Sequence, residues 1–262
     1  MTLFKHEMRQ ARLSVIIWTA SIGFLMAICI LMFPEMKGEM DSVSDMFASM
    51  GSFSAAFGMD RINFGSLDGF YAIECGNILG LGGAFYAALL GITALSKEEK
   101  DHTAEFLLTH PISRLQITME KWGACVMQLL LMNGIIAAVS VASFAAIGEE
   151  MQGKTFWLLH LAFLVMQLEV MSVCFGISAF LKGSAMGTGI GIATILYFLN
   201  IIRNISDKAE GLKYVTPFAY ADASDIVAEA AVDEKLLMIG ILYGIVGILV
   251  AILYYRKKDI SV

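Results

Sequence analysis

The chain has 262 residues, 58% of them apolar and only 16% charged, with a formal net charge of −6 and a mean hydropathy of +0.72. Soluble domains carry about 25% charged residues, so a water-soluble globule is excluded and a multi-pass membrane protein is expected. The acidic balance offers no footprint for nucleic acid. The four cysteines, each in a different apolar run, have the spacing of neither a disulfide framework nor a zinc site and read as packing residues.

Residues 2–12 place Leu3, Phe4, Met8 and Ala11 on one helical face and Lys5, Arg9 and Arg12 elsewhere, a basic amphipathic start suited to a headgroup layer. A helix needs about 20 mostly apolar residues to cross roughly 30 Å of hydrocarbon. Six runs qualify, near 13–33, 71–95, 122–147, 156–181, 185–202 and 236–255. The first meets Pro34 without a small-residue cleavage pattern, so it is expected to stay as an anchor. Eleven of the 18 Lys and Arg residues fall on one side of this layout, among them Lys5, Lys97, Arg114, Lys121, Lys182 and Lys258. Positive flanks stay in the cytoplasm, which predicts both termini inside. The expected fold is therefore all-α and integral to the membrane, one domain over 1–262.

The loop 34–70 carries Met46, Phe47, Met50, Phe53 and Phe57 at helical spacing, and Pro217 opens a stretch able to form a short helix. Both are expected to pack as caps over helix ends on the outer side. Between the second and third runs lies a compact polar island, residues 97–121. Ser96 with Glu99, and Ser113 with Gln116, match capping boxes, and Pro111 stops a helix, so a short helix over Lys97–Thr109 is predicted below the bilayer. The predicted polar hairpin spans 96–121.

Glycines recur at three- and four-residue spacing: Gly76, Gly80 and Gly83 in the second run, Gly187 and Gly191 in the fifth, Gly240 and Gly244 in the sixth. Small residues let helix backbones approach in lipid, within one chain or between two. Glu169, with Gln167 two residues earlier, sits near the middle of the fourth run, where an ionised, unpaired carboxylate is costly. It is expected to face a partner or a cavity, contacting a cationic or polar cargo or a conformational gate, or to act as a protonated or hydrogen-bonded helix–helix glue. Glu74 is expected near the outer headgroups, and His160 at the membrane interface.

Two motifs mislead. Gly148-Glu-Glu-Met-Gln-Gly153-Lys154-Thr155 satisfies the phosphate-loop pattern, yet no buried strand precedes it and it bridges two spanning runs. His6-Glu7 lacks the second histidine of a zinc-protease helix, and Glu98-Glu99 with Phe106 and His110 is an incomplete intramembrane protease set because Thr103 stands where an arginine is needed.

The polar island resembles the permeases of type-2 ABC exporters. Those show an acidic pair, a Thr, a Leu-Glu-x-Leu-Leu-like core, then Pro-Ile/Val-Ser-Arg and a later Lys. This chain offers Glu98-Glu99, Thr103, Ala104-Glu105-Phe106-Leu107-Leu108, Pro111-Ile112-Ser113-Arg114 and Lys121, with His102 and Ala104 as departures. The resemblance implies a subunit without catalysis or cofactor of its own, ATP and magnesium residing on a separate ABC ATPase. It implies a homodimer or heterodimer of permeases in membrane lipid of a bacterial plasma membrane. The 96–121 hairpin would be a coupling hairpin, with docking falling to Glu98, Glu99, Thr103, Glu105, Phe106, Leu107, Leu108, Pro111 and Arg114, and a second contact near Lys182. Gly76, Gly80, Gly83, Glu169, Gly187 and Gly191 would serve the pathway or dimer interface. The alternatives are a secondary carrier or channel using Glu169 and, less favoured, an intramembrane enzyme.

Overall fold

The computed structural model describes residues 2–38, 43–44, 46, 49–97, 112–181 and 185–258. Helix α1, Thr2–Gln10, is followed after Ala11 by α2, Arg12–Met36, and a short α3, Ser52–Ala56. Three segments in series, Leu67–Phe70, Tyr71–Cys75 and Gly76–Ala94, make the continuous helix α4. Then come α5, Arg114–Ile147, α6, Gly153–Ser178, and α7, Met186–Ile205. After two 3-10 turns, Asp207–Tyr214 and Pro217–Ala219, α8 covers Ala223–Glu229 and α9 covers Glu234–Lys257. Helices α2, α4, α5, α6, α7 and α9 are each long and apolar enough to cross a membrane.

Local chemistry sets the helix ends. Ser66 and Ser113 accept from the amides of Gly69 and Gln116, and Asp233 accepts from Lys235 and Leu236, relieving orphan donors at three helix starts. Gly148 ends α5 in the left-handed region (φ 69°), and Glu149 N–H reaches back to the Phe144 carbonyl. The phosphate-loop lookalike is thus a helix C-cap, a four-residue link and the first turn of α6. Helix α5 begins at Arg114, eight residues before the apolar run; at 1.5 Å per residue its 34 residues span about 51 Å, well beyond the hydrocarbon.

Tyr71–Cys75 is a π-helical turn inside α4, and it displaces one backbone bond. The Asn77 amide donates to the Ile73 carbonyl at 2.7 Å, and the Tyr197 hydroxyl donates to Asn77 Oδ1 at 3.0 Å. The irregular turn is thereby tied to α7.

Helix α6 is the centre of the bundle. It packs most extensively on α4 and then on α9, while α2 lies along α5 and α7 along α4. Within the apolar windows of α6 and α4, 67% and 61% of residues are buried, against 17% and 22% for α7 and α9, which leaves the latter two facing outward. Arg114 contacts the end of α9 and Phe4 contacts Glu120, so α1, the start of α5 and the end of α9 share one face of the bundle, called the terminal face below.

Candidate functional site

On the terminal face, both flanks of the polar island are held. Ser96, buried, donates its hydroxyl to the Ile92 carbonyl at 3.1 Å, and Lys97 Nζ donates to the Gln10 side chain on α1. At the other flank, Ser113 caps α5, while the Gln116 amide donates to Glu120 Oε1 at 2.9 Å. Glu98, Glu99, Thr103, Glu105, Phe106, Leu107, Leu108 and Pro111 lie outside the described residues, as does Lys182. The Ser96–Glu99 capping box and most of the 97–109 helix fall with them.

Arg114 is described, and it turns toward its own chain. Its Nη1 donates to the backbone carbonyls of Lys258 at 2.6 Å and Tyr255 at 3.1 Å, with Arg256 at 3.5 Å. These carbonyls end α9, where a cation also meets the negative pole of the helix dipole. Lys258 in turn donates through Nζ to the Leu181 carbonyl at 3.2 Å. One strap of side chains therefore joins the exit of the polar island, the end of α9 and the end of the α6 turn. Nothing in the spacing pointed to Lys258, which reads as one more flanking positive charge.

Helix α1 is docked as well. The Lys121 ammonium, 1% exposed, pairs with Glu7 at 2.9 Å, and the Phe4 amide donates to Glu120 Oε2 at 3.0 Å. The amphipathic start thus spends part of its polar face on α5. A cavity of about 320 Å³ lies beside it, lined by Glu7, Gln10, Lys97, Lys121 and Gln128 together with apolar residues such as Leu90 and Met186.

In the bundle, Gln167 and Glu169 part company. Gln167 faces α4 and α5: it accepts from Asn133 Nδ2 at 2.7 Å and donates to the Leu79 carbonyl at 3.4 Å. Glu169 faces α9 and accepts a 2.7 Å hydrogen bond from the Tyr220 hydroxyl. Two residues along an α-helix turn about 200°, so one environment cannot serve both. Glu169 lines an apolar groove of about 330 Å³ between α7 and α9.

The glycines divide too. A Cβ on Gly83 would stand 2.1 Å from Gln167, one on Gly76 2.9 Å from Ala223, and one on Gly80 3.2 Å from Phe163, so these three accommodate contacts within the chain. Gly187 and Gly191 have nothing within 4 Å and lie toward the outward side of α7. His160 is turned inward, 5% exposed, with Nε2 at 2.8 Å from the Tyr71 hydroxyl.

On the far face, the two long loops expected to cap helix ends are knitted together by charges. Arg61 Nη1 bonds Asp225 at 2.5 Å and approaches Asp222 at 3.8 Å. Arg203 lies 3.5 Å from both aspartates, and Asn204 donates to Asp222 at 3.1 Å. Burial by itself weakens the proton's hold on Arg61, but Asp222, Asp225 and Asp60 outweigh it and raise its pKa above the ordinary guanidinium value. Among the described residues no group of His, Cys, Asp and Glu could hold a metal ion.

No curated protein matches this chain. The family described as ABC-2 family transporter protein matches residues 1–260. Six apolar helices and that match over nearly the whole length agree: the chain is a multi-pass integral membrane protein belonging to the ABC-2 transporter family.

Proposed function

We propose that this chain is the membrane-spanning permease subunit of an ATP-driven ABC exporter, working as a dimer and driven by a separate ATPase docked on the 97–114 segment. In this reading the terminal face is cytoplasmic, the membrane is a bacterial plasma membrane, and ATP and magnesium stay on the partner. The observation that carries it is the family match over 1–260, joined to a terminal face where both flanks of a polar island are anchored to spanning helices. A push on that island would reach α4 through Ser96 and α5 through Ser113, because helical segments transmit displacement that a slack loop absorbs. The strap from Arg114 through Lys258 to Leu181 would carry the same displacement to α6 and α9. Arg114 is then a positioning residue that shapes the docking surface, and Glu98, Glu99 and Glu105 supply its charge. Gly187 and Gly191, with open space around them, are the glycines suited to a contact with a second permease.

The test is the double variant Glu98→Lys/Glu99→Lys, expressed with the ATPase it copurifies with from its native membrane. The expected outcome is loss of the bound ATPase while membrane insertion and thermal stability stay at the wild-type level. Undiminished ATPase association would remove the docking assignment.

A further inference from the structure

Helix α9 packs on α6 and α7 on α4, and α7 and α9 do not pack closely on each other, which leaves a groove between them with α6 at its floor. Its walls are apolar, Val173 and Ile177 from the floor, Leu196 from α7 and Val246 from α9. Set into this surface is Glu169, 6% exposed, whose one described hydrogen-bond partner is the Tyr220 hydroxyl. Among the described residues no Lys, Arg or His nitrogen lies within ion-pair distance of it. The bundle makes room for the carboxylate at the expense of packing. A Cβ on Gly240 would stand 2.3 Å from Glu169 Oε2 and 2.7 Å from the Tyr220 ring.

We propose that this groove binds a cationic amphiphile, with an ammonium-like head beside Glu169 and an apolar tail along Val173, Ile177 and Val246. Charge complementarity selects the head. An anionic amphiphile is repelled by Glu169, a neutral one gains no more than a hydrogen bond from it, and a cation replaces the missing counter-ion in a medium where water does not screen the pair. A volume of about 330 Å³ sits at the lower end of small-molecule sites, roughly 300–1,000 Å³, which suits one alkyl chain and a compact head. A second observation points to the same charge. Tyr220 also borders a far-face basin of about 590 Å³ in which six carboxylates, Asp207 and Glu229 among them, outnumber the three cations Arg61, Arg203 and Lys213. A cation leaving or reaching the groove on that side would meet an acidic surface joined to Glu169 through one tyrosine. That the amphiphile is the exported cargo rests on the permease reading above; binding itself does not.

The experiment is equilibrium binding of radiolabelled dodecylamine, with dodecanol as the neutral control, to the protein in phosphatidylcholine nanodiscs at pH 7. Wild type is expected to bind the amine saturably, one per chain. Glu169→Gln is expected to weaken the amine at least 10-fold and leave dodecanol unchanged. Val246→Trp, which fills the groove with Glu169 intact, is expected to weaken both. Amine binding that is equal in wild type and Glu169→Gln, absent from wild type, or no tighter than dodecanol overturns the proposal, and the last outcome makes the groove a seat for a neutral lipid tail. Should Glu169→Gln fail to fold, Val246→Trp carries the test, and amine binding equal to wild type there overturns it. ATPase copurification is read on the same preparations. Its loss in wild type alongside intact amine binding would sink the permease reading alone, and the reverse pattern would sink the groove alone.

Discussion

At the scale of single residues, the deciding feature is what each polar group in an apolar bundle finds as partner. Arg114 Nη1 donates chiefly to the Lys258 and Tyr255 carbonyls at the end of α9, and in this partly buried setting such charge-assisted bonds contribute about 1 kcal/mol each. Arg114→Ala is therefore expected to leave the ATPase bound but to lower permease-dependent stimulation of its hydrolysis several-fold. Stimulation measured beside copurification checks this; equal loss of both would place Arg114 in the docking surface itself. The sequence showed Arg114 as a member of a Pro-Ile-Ser-Arg motif but could not show which way it points, because its partners lie more than 140 residues downstream. Glu169 was legible as an oddity for a simpler reason, since a carboxylate inside an apolar run is anomalous wherever its partner lies. Tyr220, the partner, carries no such signal: a tyrosine near a turn is ordinary.

At the scale of elements, the glycines act through backbone contact. A Cβ on Gly91 would stand 2.1 Å from the Met171 carbonyl oxygen, and one on Gly247 2.4 Å from that of Ser172, so α4, α6 and α9 approach through backbone rather than side chains. Backbone cannot swing aside as a side chain can, so Gly91→Ala is expected to cost about 1–3 kcal/mol or more and lower the thermal midpoint in detergent. Gly191→Leu, with open space around it, is expected to leave that midpoint unchanged and to weaken the permease–permease contact, read by cross-linking in native membranes. The three- and four-residue spacing announced close packing for Gly76, Gly80, Gly83, Gly187 and Gly191 alike, and left Gly91 unmarked. It could not sort them, because spacing says where a bare strip of helix lies and not which surface meets it. The π-helical turn in α4 was likewise invisible, since Tyr71–Cys75 has nothing in its composition that distinguishes it from the α-helix around it.

At the scale of the whole molecule, two polar assemblies close the ends of an apolar bundle. The terminal face is bound by the Arg114–Lys258–Leu181 strap and the Glu7–Lys121 pair, and the far face by the cluster of Arg61, Arg203, Asp222 and Asp225. Asp222 is the hinge of the latter: it is 8% exposed, caps α8 through the Ser224 amide and stands between both arginines. Removing Asp222 takes the buried carboxylate from both arginines and leaves them only the more exposed Asp225, at a cost of about 1–3 kcal/mol. Asp222→Ala is expected to loosen the two far loops together, seen as faster amide exchange in both 52–62 and 203–229. Faster exchange confined to one loop would show that the cluster does not join them.

What the sequence determined by itself is whatever hydropathy, helix period and local capping carry: six spanning helices, an amphipathic first helix, a polar island between the second and third spans, and a false phosphate loop. These depend on neighbours within a few turns, and the bilayer supplies the rest by admitting only helices whose backbone bonds are satisfied internally. Only the tertiary structure decided that Gln167 and Glu169 serve opposite sides of α6, that Arg114 is spent on the end of α9, and that Gly76, Gly80 and Gly83 face partners inside the chain. Each of these rests on contacts between helices distant in sequence, and an apolar surface looks the same whether a helix, a lipid or a second copy covers it.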